Sequence, residues 1–211
     1  MKIGIFDSGI GGRNVLSVLQ QALPGHSFIY ACDSLNVPYG TKSPEQIIEL
    51  TRHAIQPLLQ SCQIIVIACN TVTSYAIRTL RRENPNVQFI GLEPAIKLAT
   101  QLTKTNTVAV CATPATLRSP NYLRLKNLYT KHLKQVIEPE CTDWARLIEY
   151  GQANRVKLNQ LSARLLNQNC DVVVLGCTHY HELKPRFLKH MPNATILEPS
   201  DAVLKRVKRY L

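Results

Sequence analysis

Two similar three-layer α/β domains, each built on a parallel sheet and related by pseudo-symmetry, are the fold class this sequence predicts. Three observations predict it. Strand-like and helix-like segments alternate along the whole chain, the mark of βα units with right-handed crossovers. The strand-like segments are apolar runs without polar alternation, as in sheets covered on both faces. The second half also echoes the first. Ile3-Gly4-Ile5-Phe6-Asp7 opens one half and Val108-Ala109-Val110-Cys111-Ala112 the other. Each half carries one cysteine at the end of a buried-looking strand: Cys69 after Ile64-Ile65-Val66-Ile67-Ala68, and Cys177 after Val172-Val173-Val174-Leu175-Gly176.

Strands are expected at 2–6, 27–31, 63–68 and 87–91, then at 107–112, 134–137, 171–176 and 194–197. Helical patterns fill the gaps at 14–22, 72–83, 95–103, 119–132, 154–168, 182–190 and 200–210. The clearest helix starts at Ser43-Pro44-Glu45-Gln46, with Ser43 as N-cap, Pro44 at the first helical position and Gln46 closing a capping box. Behind it Ile47, Ile48, Thr51, Ala54, Ile55, Leu58 and Leu59 keep the spacing of one buried face. The domain boundary is expected near Glu93-Pro94. This gives a first domain of residues 1–93 plus 197–211 and a second of 94–196, with the last strand and helix returning to the first.

With 211 residues, 45% hydrophobic and 18% charged, the chain has the composition of a globular protein with a full core. No apolar stretch approaches a membrane span, and Asp7 interrupts the amino-terminal apolar run where a signal peptide needs it continuous. A cytoplasmic protein is expected. Its seven cysteines include no Cys-x-x-Cys pair, so neither a zinc ribbon nor a thioredoxin motif is supported. Cys62, Cys111 and Cys170 read as small buried hydrophobes. The net charge of +11 invites anionic partners. The charges are scattered, however, and the densest run, Lys205-Arg206-Val207-Lys208-Arg209, also reads as the solvated face of a last helix.

Asp7-Ser8-Gly9-Ile10-Gly11-Gly12 links the first strand to a helix, and its glycines expose backbone amides to an anion. No Gly-Lys-Ser/Thr follows and Asn14 takes the place of a third glycine, so a carboxylate is the expected guest rather than a pyrophosphate. Val37-Pro38-Tyr39-Gly40 suits a pocket wall, and the hydroxyls of Thr113-Pro114-Ala115-Thr116 suit a carboxylate; either reads as well as an ordinary turn. Thiols at carboxyl ends of parallel strands point into the crevice where such sheets bind ligands. Helix dipoles there are expected to lower their pKa toward thiolate. Asp7 is available to Cys69, His179 to Cys177, and Glu149 is a lone acid in an apolar stretch, Leu147-Ile148-Glu149-Tyr150-Gly151, that reads equally as a solvated helix residue. His179-Tyr180-His181 offers two histidines with no third ligand nearby, so no metal is expected.

These runs carry a resemblance. Phe6-Asp7-Ser8-Gly9-Ile10-Gly11-Gly12, Asn36-Val37-Pro38-Tyr39-Gly40-Thr41, Ala68-Cys69-Asn70-Thr71, Ala112-Thr113-Pro114-Ala115-Thr116 and Gly176-Cys177-Thr178-His179-Tyr180 are similar, in the same order, to the glutamate racemases of the aspartate/glutamate racemase superfamily. The resemblance implies an active site in the interdomain cleft and interconversion of L- and D-glutamate without metal or pyridoxal phosphate, D-glutamate being a building block of bacterial peptidoglycan. It implies that Cys69 acts on D-glutamate with Asp7 assisting, and that Cys177 acts on L-glutamate with His179 and Glu149 assisting. Ser8, Tyr39, Gly40, Asn70, Thr71, Thr113, Thr116 and Thr178 are implied substrate contacts. A homodimer and a secondary contact with DNA gyrase or nucleic acid are further implications. Departures from the family pattern are Arg13, Ser34, and His181-Glu182, the last beside His179. Two other readings stand beside this one: a racemase for aspartate or another amino acid, and a binding protein on the same scaffold.

Overall fold

The computed structural model describes residues 1–211, apart from the side chain of Asp201. The eight expected strands form, in two parallel sheets of four. In the first, β1 (Lys2–Asp7), β2 (Ser27–Cys32), β3 (Ile64–Ile67) and β4 (Gln88–Gly91) lie in the order β2-β1-β3-β4. In the second, β5 (Thr107–Cys111), β6 (Gln135–Ile137), β7 (Val172–Leu175) and β8 (Thr195–Leu197) lie in the order β6-β5-β7-β8. The two orders are the same, so the echo between the halves is an echo of topology. The strand order reverses between the first and third strands of each sheet, and the crevice beyond the carboxyl ends at that switch point is where such sheets take ligands.

The apolar runs divide by the period of two that a strand imposes. Phe6, Ile65, Ile67 and Phe89 face one core of the first sheet, while Ile3, Ile5, Ile64, Val66 and Ile90 face the other. In the second sheet Ala109, Cys111, Val173 and Leu175 point one way, and Val108, Val110, Val172 and Val174 the opposite way. The helices supply the outer layers: α1 (Gly12–Ala22), α2 (Pro44–Ala54), α3 (Gln56–Leu59), α4 (Asn70–Tyr75), α5 (Ile77–Glu83), α6 (Ile96–Leu102), α7 (Pro114–Arg118), α8 (Pro120–Tyr129), α9 (Trp144–Glu149), α10 (Leu158–Asn167), α11 (Lys184–His190) and α12 (Ser200–Val207). The capping box at Ser43 is formed, with Ser43 Oγ accepting from the Gln46 amide and Gln46 Oε1 accepting from the Ser43 amide.

Several boundaries differ from expectation. The helix expected at 72–83 starts at Asn70 and breaks at Ala76 into α4 and α5. Residues Thr178–Leu183 wind as a 3-10 helix ahead of α11. The last strand does not return to the first domain, and Leu197, expected there, closes β8 in the second sheet. Only α12 crosses back, where Val203 and Val207 join the core between α1 and the first sheet. We propose the domain boundary near Glu93-Pro94, with residues through 93 and α12 as the first lobe and the intervening chain as the second. Among the described residues no helix is long and apolar enough to cross a membrane.

Candidate active site

Asp7 ends β1, and Ala68 and Cys69 continue β3 beside it, joined by the Ala68 amide donating to the Phe6 carbonyl at 2.6 Å. Cys69 is therefore carried past the sheet edge at the switch point and becomes the N-cap residue of α4. The second lobe repeats the construction. The Gly176 amide donates to the Cys111 carbonyl at 2.7 Å, and Cys177 leads into the 3-10 turn. Both thiols line one narrow cleft between the lobes, with Ser8, Tyr39, Gly40, Asn70, Thr71, Thr113, Thr178 and His179. Val37, Pro38 and Ala145 complete its wall. Ala145 carried no sequence signal, because an alanine on a short helix has no chemistry to mark it. The cleft is closed down to about 10 Å³, roughly the room of one water.

Three of the singled-out residues stand behind this wall. Thr116 is buried beneath Thr113 and joins a triangle of hydroxyls: Thr71–Thr113 at 3.0 Å, Thr113–Thr116 at 3.0 Å and Thr71–Thr116 at 3.4 Å. Asp7 accepts from the Gly12 amide at 2.6 Å and from the Thr178 hydroxyl at 3.2 Å. Glu149, at the end of α9, accepts from the Ile10 amide at 2.9 Å and lies 2.6 Å from His179 Nε2. The carboxylate guests of the glycine turn are thus the protein's own, Asp7 and Glu149. Gly11 is required by close approach, since a Cβ there would lie 2.6 Å from the His179 backbone nitrogen.

The electrostatics separate the two thiols. The Cys69 thiol is 6% exposed and is pushed up to about 12, first by burial and then by the Asp7 charge. This reverses the expectation of a dipole-lowered thiolate. Its Ser8 hydroxyl neighbour at 3.4 Å and the Val72 amide pull the other way without compensating. A helix of one and a half turns has too small a dipole to outweigh full desolvation. Burial raises Asp7 as well, to about 6. At the other thiol, His179 Nδ1 sits 3.8 Å from Cys177 Sγ. Burial works against a charged His179, but Cys177 and Glu149 together lift its pKa well above the ordinary value. Burial likewise opposes an ionised Glu149, yet His179, the Ile10 amide and Ser34 hold it below the ordinary carboxylate value. The result is a buried imidazolium–carboxylate pair, with side chains 3% and 5% exposed, beside Cys177.

Both polar atoms of Asn70, 2% exposed, have no hydrogen-bond partner, which leaves an amide's full donor and acceptor capacity facing the cleft. His181 lies behind the site with Glu198, and burial lowers its pKa. Cys62, Cys111, Cys141 and Cys170 are buried free thiols and Cys32 is exposed. Among the described residues no three His, Cys, Asp or Glu side chains gather as metal ligands. A larger cavity, about 510 Å³, lies elsewhere, between Leu92, Pro94, Leu125, Tyr129 and Val203. It contains neither of the two strand-end thiols nor His179.

Comparison with known proteins agrees with this geometry. The family described as Asp/Glu/Hydantoin racemase matches residues 13–207. A glutamate racemase of Pseudomonas aeruginosa (strain UCBPP-PA14) is 37% identical over 99% of this chain and 81% of its own. The crystal structure of Escherichia coli glutamate racemase, in complex with L-glutamate and an activator, superposes with a TM-score of 0.87 at 28% identity, covering 99% of this chain and 81% of that one. Glutamate racemase from Francisella tularensis, in complex with D-glutamate, superposes with a TM-score of 0.80 at 29% identity, covering 100% and 80%. With its fold and its sequence matched over nearly the full length, the chain belongs to the Asp/Glu/hydantoin racemase family.

Proposed function

We propose that the protein is a glutamate racemase that interconverts L- and D-glutamate by proton transfer between Cys69 and Cys177, with no cofactor. The observation that carries this reading is the pair of thiols, one from each lobe, lining one cleft with separate titrating partners. An α-proton is weakly acidic, so its base must be close, oriented and shielded from water. Two fixed groups on opposite faces of the stereocentre achieve inversion without either one moving. The electrostatics supply a direction. Cys69, with its raised pKa, rests as the thiol and donates. Cys177 lies 3.8 Å from the His179 ring, whose pKa is raised, and is assigned the accepting role because a cationic partner is at hand there. That state takes L-glutamate; after turnover the roles exchange and Cys69 acts on D-glutamate, with Asp7 able to carry charge near neutral pH. Ser8, Asn70, Thr71, Thr113 and Thr178, with Tyr39 and Gly40, would hold the carboxylates and amino group, and Thr116 would hold Thr113. The closed cleft leaves no room for glutamate, so the lobes must part to admit it.

The reading carries further proposals. The product serves peptidoglycan synthesis, and the enzyme is cytoplasmic and forms a homodimer. The basic surface, densest on α12, is offered as a secondary contact for DNA gyrase or nucleic acid, and absence of duplex DNA binding at low salt would remove that part.

The test is incubation with L-glutamate or L-aspartate in D₂O without added cofactor, following optical rotation and α-deuterium. Racemisation and exchange are expected with glutamate only. Cys69→Ser and Cys177→Ser should each lower kcat/KM by about 10²- to 10⁴-fold. Wild-type turnover in either variant would refute the two-thiol mechanism, and turnover of aspartate alone would move the substrate assignment.

A further inference from the structure

Tyr30, on β2 of the first lobe, does not line the cleft, yet it is connected to it. Its hydroxyl donates to the Gly9 carbonyl at 2.6 Å. The N–H of the same peptide unit, that of Ile10, donates across the lobe boundary to Glu149 Oε2 at 2.9 Å. That oxygen is 2.6 Å from His179 Nε2, and His179 Nδ1 faces Cys177 Sγ at 3.8 Å. The peptide group is planar, so the direction of the Gly9 carbonyl and that of the Ile10 N–H cannot be set separately. We propose that Tyr30 is a positioning residue for proton transfer at Cys177: by clamping the Gly9–Ile10 peptide it fixes Glu149, and through Glu149 the ring of His179, when the lobes are closed.

Three physical arguments support this. A donor on the carbonyl polarises the amide and makes its N–H a stronger donor. A glutamate side chain left without that donor regains rotamer freedom and spends less time against Nε2. The clamp is also tight, because a Cβ on Gly9 would lie 2.3 Å from Glu149 Oε2 and 3.0 Å from His179 Nε2. The tyrosine stays a donor throughout the working range, since burial and then the Asp7 charge raise its pKa far above ordinary. The titratable and charged groups facing the chain are Asp7, Cys32, Arg13 and Glu149 at Tyr30, Cys177, Glu149 and Asp7 at His179, and His179 at Glu149, where the Ser34 hydroxyl also lies, with His181 also feeling the His179 charge. The opposite thiol has a matching arrangement, in which Asp7 of the first lobe accepts from Thr178 of the second. Each lobe's supporting carboxylate is therefore held by a donor from the other lobe, and closure assembles both.

The kinetic readout of this inference rests on the glutamate racemase reading, while its geometric readout does not. The experiment compares wild type, Tyr30→Phe, Glu149→Gln and the double variant, with Gly9→Ala as an independent attack on the same contact. Because the enantiomers have equal free energy, kcat/KM is the same in both directions, so the informative quantities are kcat, KM and pH profile. Tyr30→Phe is expected to lower kcat about three- to tenfold with KM within about twofold. It should move the limb belonging to His179 to lower pH, and it should have no further effect in the Glu149→Gln background. Titration of ¹⁵N-labelled His179 without substrate should fall by about half a unit in both Tyr30→Phe and Gly9→Ala. An unshifted or upward titration in both, or an additive loss in the double variant, overturns the proposal. Failure of the wild type to racemise glutamate would sink the functional reading, and the His179 titration would still decide this one.

Discussion

Asp7 shows how burial makes a single carboxyl costly to stability. Burial disfavours its charged form and lifts it from 3.8 to about 6, although the His179 charge, the Gly12 amide and Thr178 oppose the shift. Between those values the folded protein binds more protons than the unfolded chain, so stability is full below pH 3.8 and falls as pH rises through about 6. The loss is of the order of 3 kcal/mol. Asp7→Asn removes that cost and is expected to raise the melting temperature at pH 8 by roughly 6–12 °C, with no gain at pH 4 and lower racemase activity. Scanning calorimetry at the two pH values checks it, and an unchanged or lower midpoint at pH 8 contradicts it. His179 acts in the same direction on pH dependence. Its folded pKa is raised, so its contribution is complete below the unfolded value and disappears as pH rises through the folded one. The thiols were legible in the sequence because polar residues after an apolar run stand out. The pKa of Cys69 was not, because desolvation depends on the second lobe covering it. Tyr30 and the Ile10 amide left no trace either, since a tyrosine in a strand and a backbone N–H look the same whether or not they bridge lobes.

At the level of elements, α2 is the one whose start was written most plainly. Ser43, Pro44 and Gln46 are local instructions, and Ser43→Ala is expected to cost about 1 kcal/mol without changing KM, because the cap lies on the surface away from the cleft. A urea midpoint shift with constant slope is the check, and a loss above about 2 kcal/mol would mean that the box holds more than its own helix. The short helices were harder to read. The helix α7, five residues long, is capped by Thr113, starts at Pro114 and has too few turns to show a period. The helix α9 was legible only as the apolar stretch around Glu149, Leu147 to Gly151. Both are stabilised by what they pack on. The hydroxyl of Tyr75 on α4 donates to the Ala115 carbonyl at 2.8 Å, so α7 is partly held by the other lobe. The break at Ala76 has the same character, because no glycine or proline in the sequence announces it.

For the whole molecule, the net charge of +11 surrounds a cleft whose proposed substrate is an anion. Raising ionic strength from about 0.02 to 0.5 M is expected to lower kcat/KM about two- to fivefold, mostly through KM; stopped polarimetry over that range is the measurement, and a flat response would detach the charge from substrate capture. The eight strands, the repeated topology and the two thiols were determined by the sequence itself. Apolar runs, caps and glycine turns act over a few residues, and the order of strands then follows from short right-handed crossovers. Only the tertiary structure decided where the last strand went, which carboxylates fill the glycine turn, and that burial raises the Cys69 thiol's pKa. Those outcomes depend on contacts between lobes far apart in the chain, where burial and the geometry of closure set the energies and no local pattern records them.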